Sequence, residues 1–320
     1  MEKNEMQNEL VGLCVAKNEA DIIEPMVRHN LCFLDRLRIV NNDSADSTMS
    51  ILRKLQQEFG DRVDLTSDMR SGHPQTSIIN ECLLDPAFTD RVGQVVLLDA
   101  DEFINADRDF FRYILTHSRF PIRLPWVTYI PSSEDDKTEI NPIVRVVHRR
   151  VKEKPQFYKV TVPRELFGHS WVRPGSHSIR SKISGYEPRQ IAGLSIAHFP
   201  IRSREQVISK LLIGSWNMRL RSRNSKGEAL QWRITADRIL SGWLPTEADL
   251  QELALNYAST KPSAMLREAL VTPTSFELKY TTSERDELLR RLIAFTEGAM
   301  RMLEKSNQAE GETLAGREDL

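Results

Sequence analysis

Four short apolar runs alternate with helical stripes through the first hundred residues, and this rhythm constrains the fold more than any other feature. Leu10–Ala16 (LVGLCVA) is almost uniformly apolar, the pattern of a strand covered on both faces. Over Asp21–Asn30, Ile22, Ile23, Met26 and Val27 form one helical stripe, and Pro25 sits in the first turn, where a missing N–H is tolerated. Leu37–Val40 reads as a second strand, Ser47–Phe59 as an amphipathic helix closed by Gly60, and Val63–Leu65 as a third strand. Gln75–Leu84 is a third helix and Val95–Leu98 a fourth strand. Such alternation predicts an α/β sheet with right-handed crossovers.

After residue 105 the rhythm changes. A helix is predicted over Phe110–Thr116. Strand-like runs follow at Ile122–Ile130, Ile143–Arg149, Phe157–Val162, Ser176–Ser181 and Leu194–Phe199, punctuated by Pro, Gly and Ser. They predict a mixed or antiparallel extension of the same sheet. From Ser203 the pattern is helical: Arg204–Arg221, Ala229–Leu240, Glu247–Ala258 and Ser283–Glu304. The expected organisation is a sheet domain over 1–200, a helical region over 201–305 and a polar, disordered tail over 306–320.

The 320 residues suffice for one large core. A net charge of -1 gives no electrostatic case for nucleic-acid binding. Cys14, Cys32 and Cys82 are odd in number and irregular in spacing, which suits reduced core residues rather than disulfides or a zinc site. MEKNEMQNEL has no apolar signal core, and no window approaches the roughly 18 apolar residues a membrane span needs. The expected location is the cytoplasm, with docking at the inner face of a membrane still open.

Chemistry concentrates where strands end. In VVLLDADEFI (95–104), apolar residues run into Asp99, Ala100, Asp101 and Glu102. Side chains alternate along a strand, so Asp99 and Asp101 share a face if the chain stays extended past Leu98, while Glu102 faces away. Two hard oxygen donors at a strand's carboxyl end suit Mg²⁺ or Mn²⁺. An acidic turn capping the next helix is the competing reading. The first strand ends in Ala16, Lys17, Asn18 and Glu19, and the second in Asn41, Asn42 and Asp43, leading into Asp46. Polar groups thus gather at one sheet edge after three strands, which favours a site.

These segments together resemble the family 2-type glycosyltransferases of the GT-A fold, and most nearly a bacterial subgroup with KNE and DADEF motifs. The matching residues are VAKNEADIIEPMVRHN (15–30), IVNNDSADST (39–48), the helix carrying Asn80, VVLLDADEFI and AHFPIRSREQVISK (197–210), where Phe199 replaces a tyrosine of the pattern. The resemblance implies a nucleotide-diphosphate sugar donor, a divalent metal (Mn²⁺ or Mg²⁺) on Asp99 and Asp101, and an inverting transfer to a glycan or lipid-linked acceptor. It implies a nucleoside pocket along Ala16–Glu19 and the end of strand two. There Asn41-Asn42 replaces the family's Asp-Asp pair, and an amide still offers both donor and acceptor to a base.

Other residues carry two readings each. Arg70 contacts the base or a phosphate, or is a solvated loop arginine. His198 is a third metal ligand or diphosphate contact, or a core histidine. Arg202 and Lys210 neutralise phosphate, or lie on a solvated helix face. His177 and Trp171, with His169 nearby, form an acceptor face, or Trp171 belongs to the core. The general base is sought among Glu134, Asp135, Asp136, Glu165 and Glu187, with a solvated acidic loop as the alternative for 134–136. Two other functions compete with sugar transfer: a sugar nucleotidyltransferase, disfavoured because AKNEAD has no glycine-rich signature, and an inactive binding protein of the same fold.

Overall fold

The structure, a computed structural model, describes residues 8–70, 74–220, 230–259, 261, 263–281 and 285–298. The strands are β1 (Glu9–Ala16), β2 (Arg36–Asn41), β3 (Val63–Ser67), β4 (Val92–Leu98), β5 (Glu102–Asn105), β6 (Ile122–Ile130), β7 (His148–Arg150), β8 (Tyr158–Pro163), β9 (Ser170–Val172), β10 (Ile179–Ser181), β11 (Arg189–Gln190), β12 (Ser195–His198) and β13 (Met265–Arg267). The helices are α1 (Ile23–Asn30), α2 (Thr48–Phe59), α3 (Gln75–Leu84), α4 (Pro86–Thr89), α5 (Arg108–His117), α6 (Pro142–Arg145), α7 (Arg204–Leu220), α8 (Leu230–Leu240), α9 (Glu247–Leu255) and α10 (285–298).

One mixed sheet organises the chain, in the order β13-β7-β6-β8-β4-β1-β2-β3, with β11 and β12 added to β6, and β5 to β12. β1 pairs in parallel with β2 and β4, and β2 with β3. β8 runs antiparallel between β4 and β6, and β12 runs parallel to β6. The carboxyl ends of β1, β2, β3, β4, β6 and β12 therefore open on one edge. This is the mixed α/β sheet flanked by helices that the sequence predicts, with a helical C-terminal part.

Both faces of the central strands are covered, which is why those runs are apolar throughout. Leu10, Cys14, Val96 and Leu98 face a core shared with Ile22, Met26, Ile51, Leu52 and Phe111 of the helices on that side. Val11, Leu13, Val95 and Leu97 face the opposite core, with Ile79, Leu83 and Phe88. The C-terminal helices bury Val207, Leu211, Ala236, Leu250 and Ala254 against Ile130 and Ile201, so they pack on the sheet.

Three predicted elements differ. Ile143–Arg149 is not one strand, because Pro142 and the Asn141 side chain, which accepts from the Ile143 N–H, start a single helical turn; only His148–Arg150 pairs with β6. Ser176–Ser181 shortens to β10, because Gly175 and Ser176 take positive φ in the preceding turn. The run after Leu98 does not stay extended: the Glu102 N–H bonds back to the Asp99 carbonyl, and the chain turns into β5. The predicted C-terminal helix is seen over 285–298; the predicted tail, 306–320, lies outside the described residues. Among the described residues, no helix is long and apolar enough to cross a membrane.

Candidate active site

The turn at Asp99–Asp101 sends its two aspartates to different partners, contrary to the shared face expected of an extended chain. Asp99 is partly exposed. One of its oxygens accepts from Gln75 Nε2 at 2.7 Å, and the other lies 2.7 Å from Lys159 Nζ. Asp101 is buried, with Oδ1 3.6 Å from His198 Nε2 and Oδ2 3.5 Å from Arg202 and 3.6 Å from Lys210. Burial opposes ionisation of Asp101, but Lys210, His198 and Arg202 outweigh it and hold the carboxyl below its ordinary range. Ala100 is buried between the two.

Beneath the turn lies a buried acid–base pair. Glu102, fully buried, accepts from Trp126 Nε1 at 2.6 Å and from the Asp99 N–H at 2.8 Å. Lys159 is equally buried, lies 3.4 Å from Glu102 and donates to the Gly175 carbonyl at 3.0 Å. Burial pushes the Glu102 carboxyl up to about 8 against the pull of Lys159. These residues hold the turn rigid from below. Lys159 and Trp126 escape the sequence reading, although a lone lysine within the strand-like FYKVTV was a readable signal.

A second layer comes from the first strand end. Arg202 donates to Asp21 at 2.6 Å through Nε and to Glu19 at 2.7 Å. It is fully buried, so the solvated-face reading of Arg202 fails; Lys210 keeps about a third of its side chain exposed (34%). Burial pushes the Glu19 carboxyl up to about 7 despite Arg202. Asn18 takes a positive φ of 59°, accessible to asparagine, and bonds with Ser44 and Ala45. Glu19 and Ala20 donate through their backbone N–H groups to Thr48 and Asp46. The Ala16–Glu19 segment, including the half-buried Lys17, is thereby tied to the turn after Asp43, itself at positive φ.

The other predicted residues fall into place around this cluster or away from it. Asn41 is buried, and its side-chain oxygen has no hydrogen-bond partner among the described residues. Asn42 is committed to the loop, donating to the Asp68 and Arg70 carbonyls. Arg70 is exposed and forked onto Glu81 and Asp68, so a phosphate would have to compete with two carboxylates. His177 Nδ1 donates to the Tyr158 carbonyl, and the ring stands edge-on to Trp126, which stacks on His198 at 4.2 Å. Trp171 is half exposed (51%) on the β9–β10 hairpin, so it is not a core residue.

Of the base candidates, Glu187 and Glu165 lie at the edge of the sheet opposite the cluster. Glu187 lies just before β11, which pairs with the first residues of β6, and Glu165 follows the end of β8, which pairs with the start of β4; both are at the amino edge. Glu134, Asp135 and Asp136 do lie beyond the carboxyl end of β6. Asp135 closes its own loop through Ser132, and Asp136 accepts from Thr138. Glu134 remains exposed, 3.5 Å from His148 Nε2.

The residues present fit a divalent cation only in part. Asp101 offers one carboxylate oxygen beside His198 Nε2, and burial pushes the imidazole down to about 4, so it is neutral near pH 7 with a lone pair to give. Asp99 does not join them: among the described residues no three His, Cys, Asp or Glu side chains converge on one point. Two protein ligands with the rest from substrate phosphates is a common arrangement for Mg²⁺.

No protein-family model matches the chain, and no curated protein matches it. Among solved structures it is similar to S. aureus TarS 1–349, at 11% identity over 78% of this chain and 73% of that one, with a TM-score of 0.38. It is similar to S. aureus TarS, at 12% identity over 72% and 42%, with a TM-score of 0.36. A third is a Bacillus anthracis protein assigned as a glucose-1-phosphate thymidylyltransferase, in complex with sucrose, at 11% identity over 73% and 83%, with a TM-score of 0.28. Likenesses this distant say nothing of the activity.

Proposed function

We propose that the chain is a metal-assisted glycosyltransferase that moves a sugar from a nucleotide-diphosphate donor to a hydroxyl acceptor, with inversion. One observation carries the reading. The three segments through which the sequence resembles such enzymes, KNEAD, LLDADEF and AHFPIRSREQ, converge on one buried cluster in which Arg202 touches both Glu19 and Asp101 while His198 faces Asp101.

In this reading Asp101 and His198 hold the cation, and Lys210 and Arg202 add positive charge beside it. A divalent ion there would supply Lewis-acid stabilisation of the departing diphosphate. Asp99 presents its exposed side to the donor while Gln75 and Lys159 fix its orientation. Asn41, with its unpaired buried oxygen, meets an N–H of the base at the nucleoside end of the site. The acceptor, a glycan or lipid-linked alcohol, lies towards Trp171. Its hydroxyl oxygen bonds to the anomeric carbon, the bond from that carbon to the diphosphate breaks, and Glu134 takes the hydroxyl proton.

The test is calorimetric titration of a panel of nucleoside diphosphates and sugar nucleotides with Mn²⁺ or Mg²⁺, followed by donor-hydrolysis assays. Saturable binding that weakens in Asp101→Asn and His198→Ala supports the reading. If no nucleotide binds with either metal, and both variants titrate as the parent does, the reading fails.

A further inference from the structure

The C-terminal segment reaches back across the whole chain to the candidate site. Its anchor is Glu24 of α1, a fully buried carboxylate. Glu24 accepts from the backbone N–H groups of Lys279, Tyr280 and Thr281 at 2.7–2.8 Å and from the Thr281 hydroxyl at 2.9 Å. A buried carboxylate saturated in this way is an expensive contact to break. Helix α10 then follows, and Glu287 accepts from the Ser47 N–H at 2.8 Å.

One turn further along α10, Arg291 enters the space beneath the site, with 4% of its surface exposed. Its Nε lies 2.7 Å from Asp46 in the turn after β2, one terminal nitrogen is 3.0 Å from the Ser209 hydroxyl of α7, and the other is 3.5 Å from Asp21. Asp21 is the carboxylate that Arg202 grips at 2.6 and 3.1 Å, and Arg202 is the group that touches Glu19 and Asp101. Buried charges thus alternate in an unbroken chain: Asp46, Arg291, Asp21, Arg202, Asp101. Asp21 is 2% exposed, so its charge is answered by the two arginines rather than by water.

We propose that Arg291 is a positioning residue of the candidate site. It fixes Asp21, and Asp21 fixes Arg202 against Glu19 and Asp101. The C-terminal segment is then a working part of the site, held there by Glu24. The local geometry stands alone, and the effect on nucleotide binding rests on the function proposed above.

The experiment uses the full chain labelled with [15N]arginine, and the variants Arg291→Gln and Arg291→Lys. The Arg202 Nε–H resonance is assigned by its loss in Arg202→Lys. Both Arg291 variants are expected to shift that resonance or speed its hydrogen exchange. Affinity for UDP with Mn²⁺ is expected to fall about tenfold in Arg291→Gln, and to change far less when the same substitution is made in Arg202→Lys, because residues acting through one network are not additive. Loss of thermal stability with the Arg202 signal and the UDP affinity unchanged would reduce Arg291 to a structural clamp and overturn the proposal. If Arg291→Gln does not fold, Arg291→Lys decides, since it keeps the charge but cannot serve Asp46, Ser209 and Asp21 at once. If the parent chain binds no UDP, the function proposed above is weakened, and the Arg202 signal alone decides the role of Arg291.

Discussion

Asp99–Glu102 and Glu134–Asp136 are both acidic runs at the carboxyl edge of the same sheet, and the fold treats them in opposite ways. The first turns Asp101 and Glu102 into the protein and leaves Asp99 partly exposed, and each carboxylate lies beside a named cation: Lys159 for Asp99 and Glu102, and Arg202 and Lys210 for Asp101. The second spends two of its three carboxylates on its own loop, with Asp135 on Ser132 and Asp136 on Thr138. Density of acid does not mark a site. Acid held out of water by opposite charge does, because burying a charge is costly unless a partner or a ligand answers it.

The comparison breaks most readily at Lys159. Lys159→Met removes the cation that pairs with the partly exposed Asp99 carboxylate and lies beside Glu102, which burial already holds largely protonated near pH 7, and stability is expected to fall by about 2–3 kcal/mol, the scale of a lost charge-assisted contact, read by urea unfolding. A loss under 1 kcal/mol would mean that the turn does not depend on the lysine. Next is Asp101→Asn, which keeps the shape and removes the charge that organises His198, Arg202 and Lys210. The transfer proposed above is expected to fall by about 10²–10³-fold, the scale for losing one electrostatic contact to the reacting groups. The same Asp→Asn exchange at Asp136 is expected to leave transfer unchanged. Equal losses at both positions would erase the distinction between the two runs.

The sequence was informative where physics is local. Strands β1 to β4 and their helices follow from apolar periodicity within a window of about ten residues, and both faces of Leu10–Ala16 are buried as its unbroken apolarity requires. His198, Arg202, Lys210 and Asp101 were all named as candidates, and the structure brings them together. Their convergence was not legible, since Asp101 and Arg202 meet only through the pairing of β12 with β5 and β6. Arg291 lies 270 residues from Asp21, and nothing in its own helix sets it apart. The shared face of Asp99 and Asp101 fails for a definite reason: alternation along a strand holds only while the chain is extended, and the turn at Asp99–Asp101 ends it.

The buried layer also carries a pH signature, set by its buried ion pairs. Burial opposes the charge on Asp21, but Arg202 and Arg291 outweigh it and hold the carboxyl at about 2. A carboxyl held below its unfolded value adds stability that is present above pH 4 and lost as pH falls through 2, on the order of 2 kcal/mol for a shift of this size. Glu19 acts with the opposite sign. Burial raises its carboxyl to about 7, so the ionised form is disfavoured in the fold and stability falls as pH rises from about 4.5 through 7. Urea midpoints measured from pH 2 to 8 are therefore expected to peak at mildly acidic pH. Asp21→Asn should flatten the acid limb, and Glu19→Gln the neutral one. A profile in Asp21→Asn that still falls as steeply between pH 4 and 2 would show that the limb belongs to other carboxyls, such as Glu58, which Arg28 holds at about 2.

The smallest effect tests the other half of the comparison. Asp136 accepts from the Thr138 N–H at 2.9 Å and its hydroxyl at 2.7 Å, a local turn in which the side chain replaces a backbone acceptor. Asp136→Asn keeps an acceptor oxygen there and gives up only the charge on an exposed loop, so its cost is expected to stay below about 0.5 kcal/mol, as for most surface substitutions. Asp136→Ala removes the acceptor and should cost about 1 kcal/mol, the scale of one lost cap-like bond. Glu134→Gln shares the loop but should leave stability untouched, while abolishing the proton acceptor assigned to it. The loop is thus expected to separate the two roles within three residues: a stability change without a rate change at Asp136, and a rate change without a stability change at Glu134. If Asp136→Ala and Glu134→Gln both alter stability alone, the base lies elsewhere, and Glu19, half-buried beside Arg202 on the same edge, becomes the carboxylate to test.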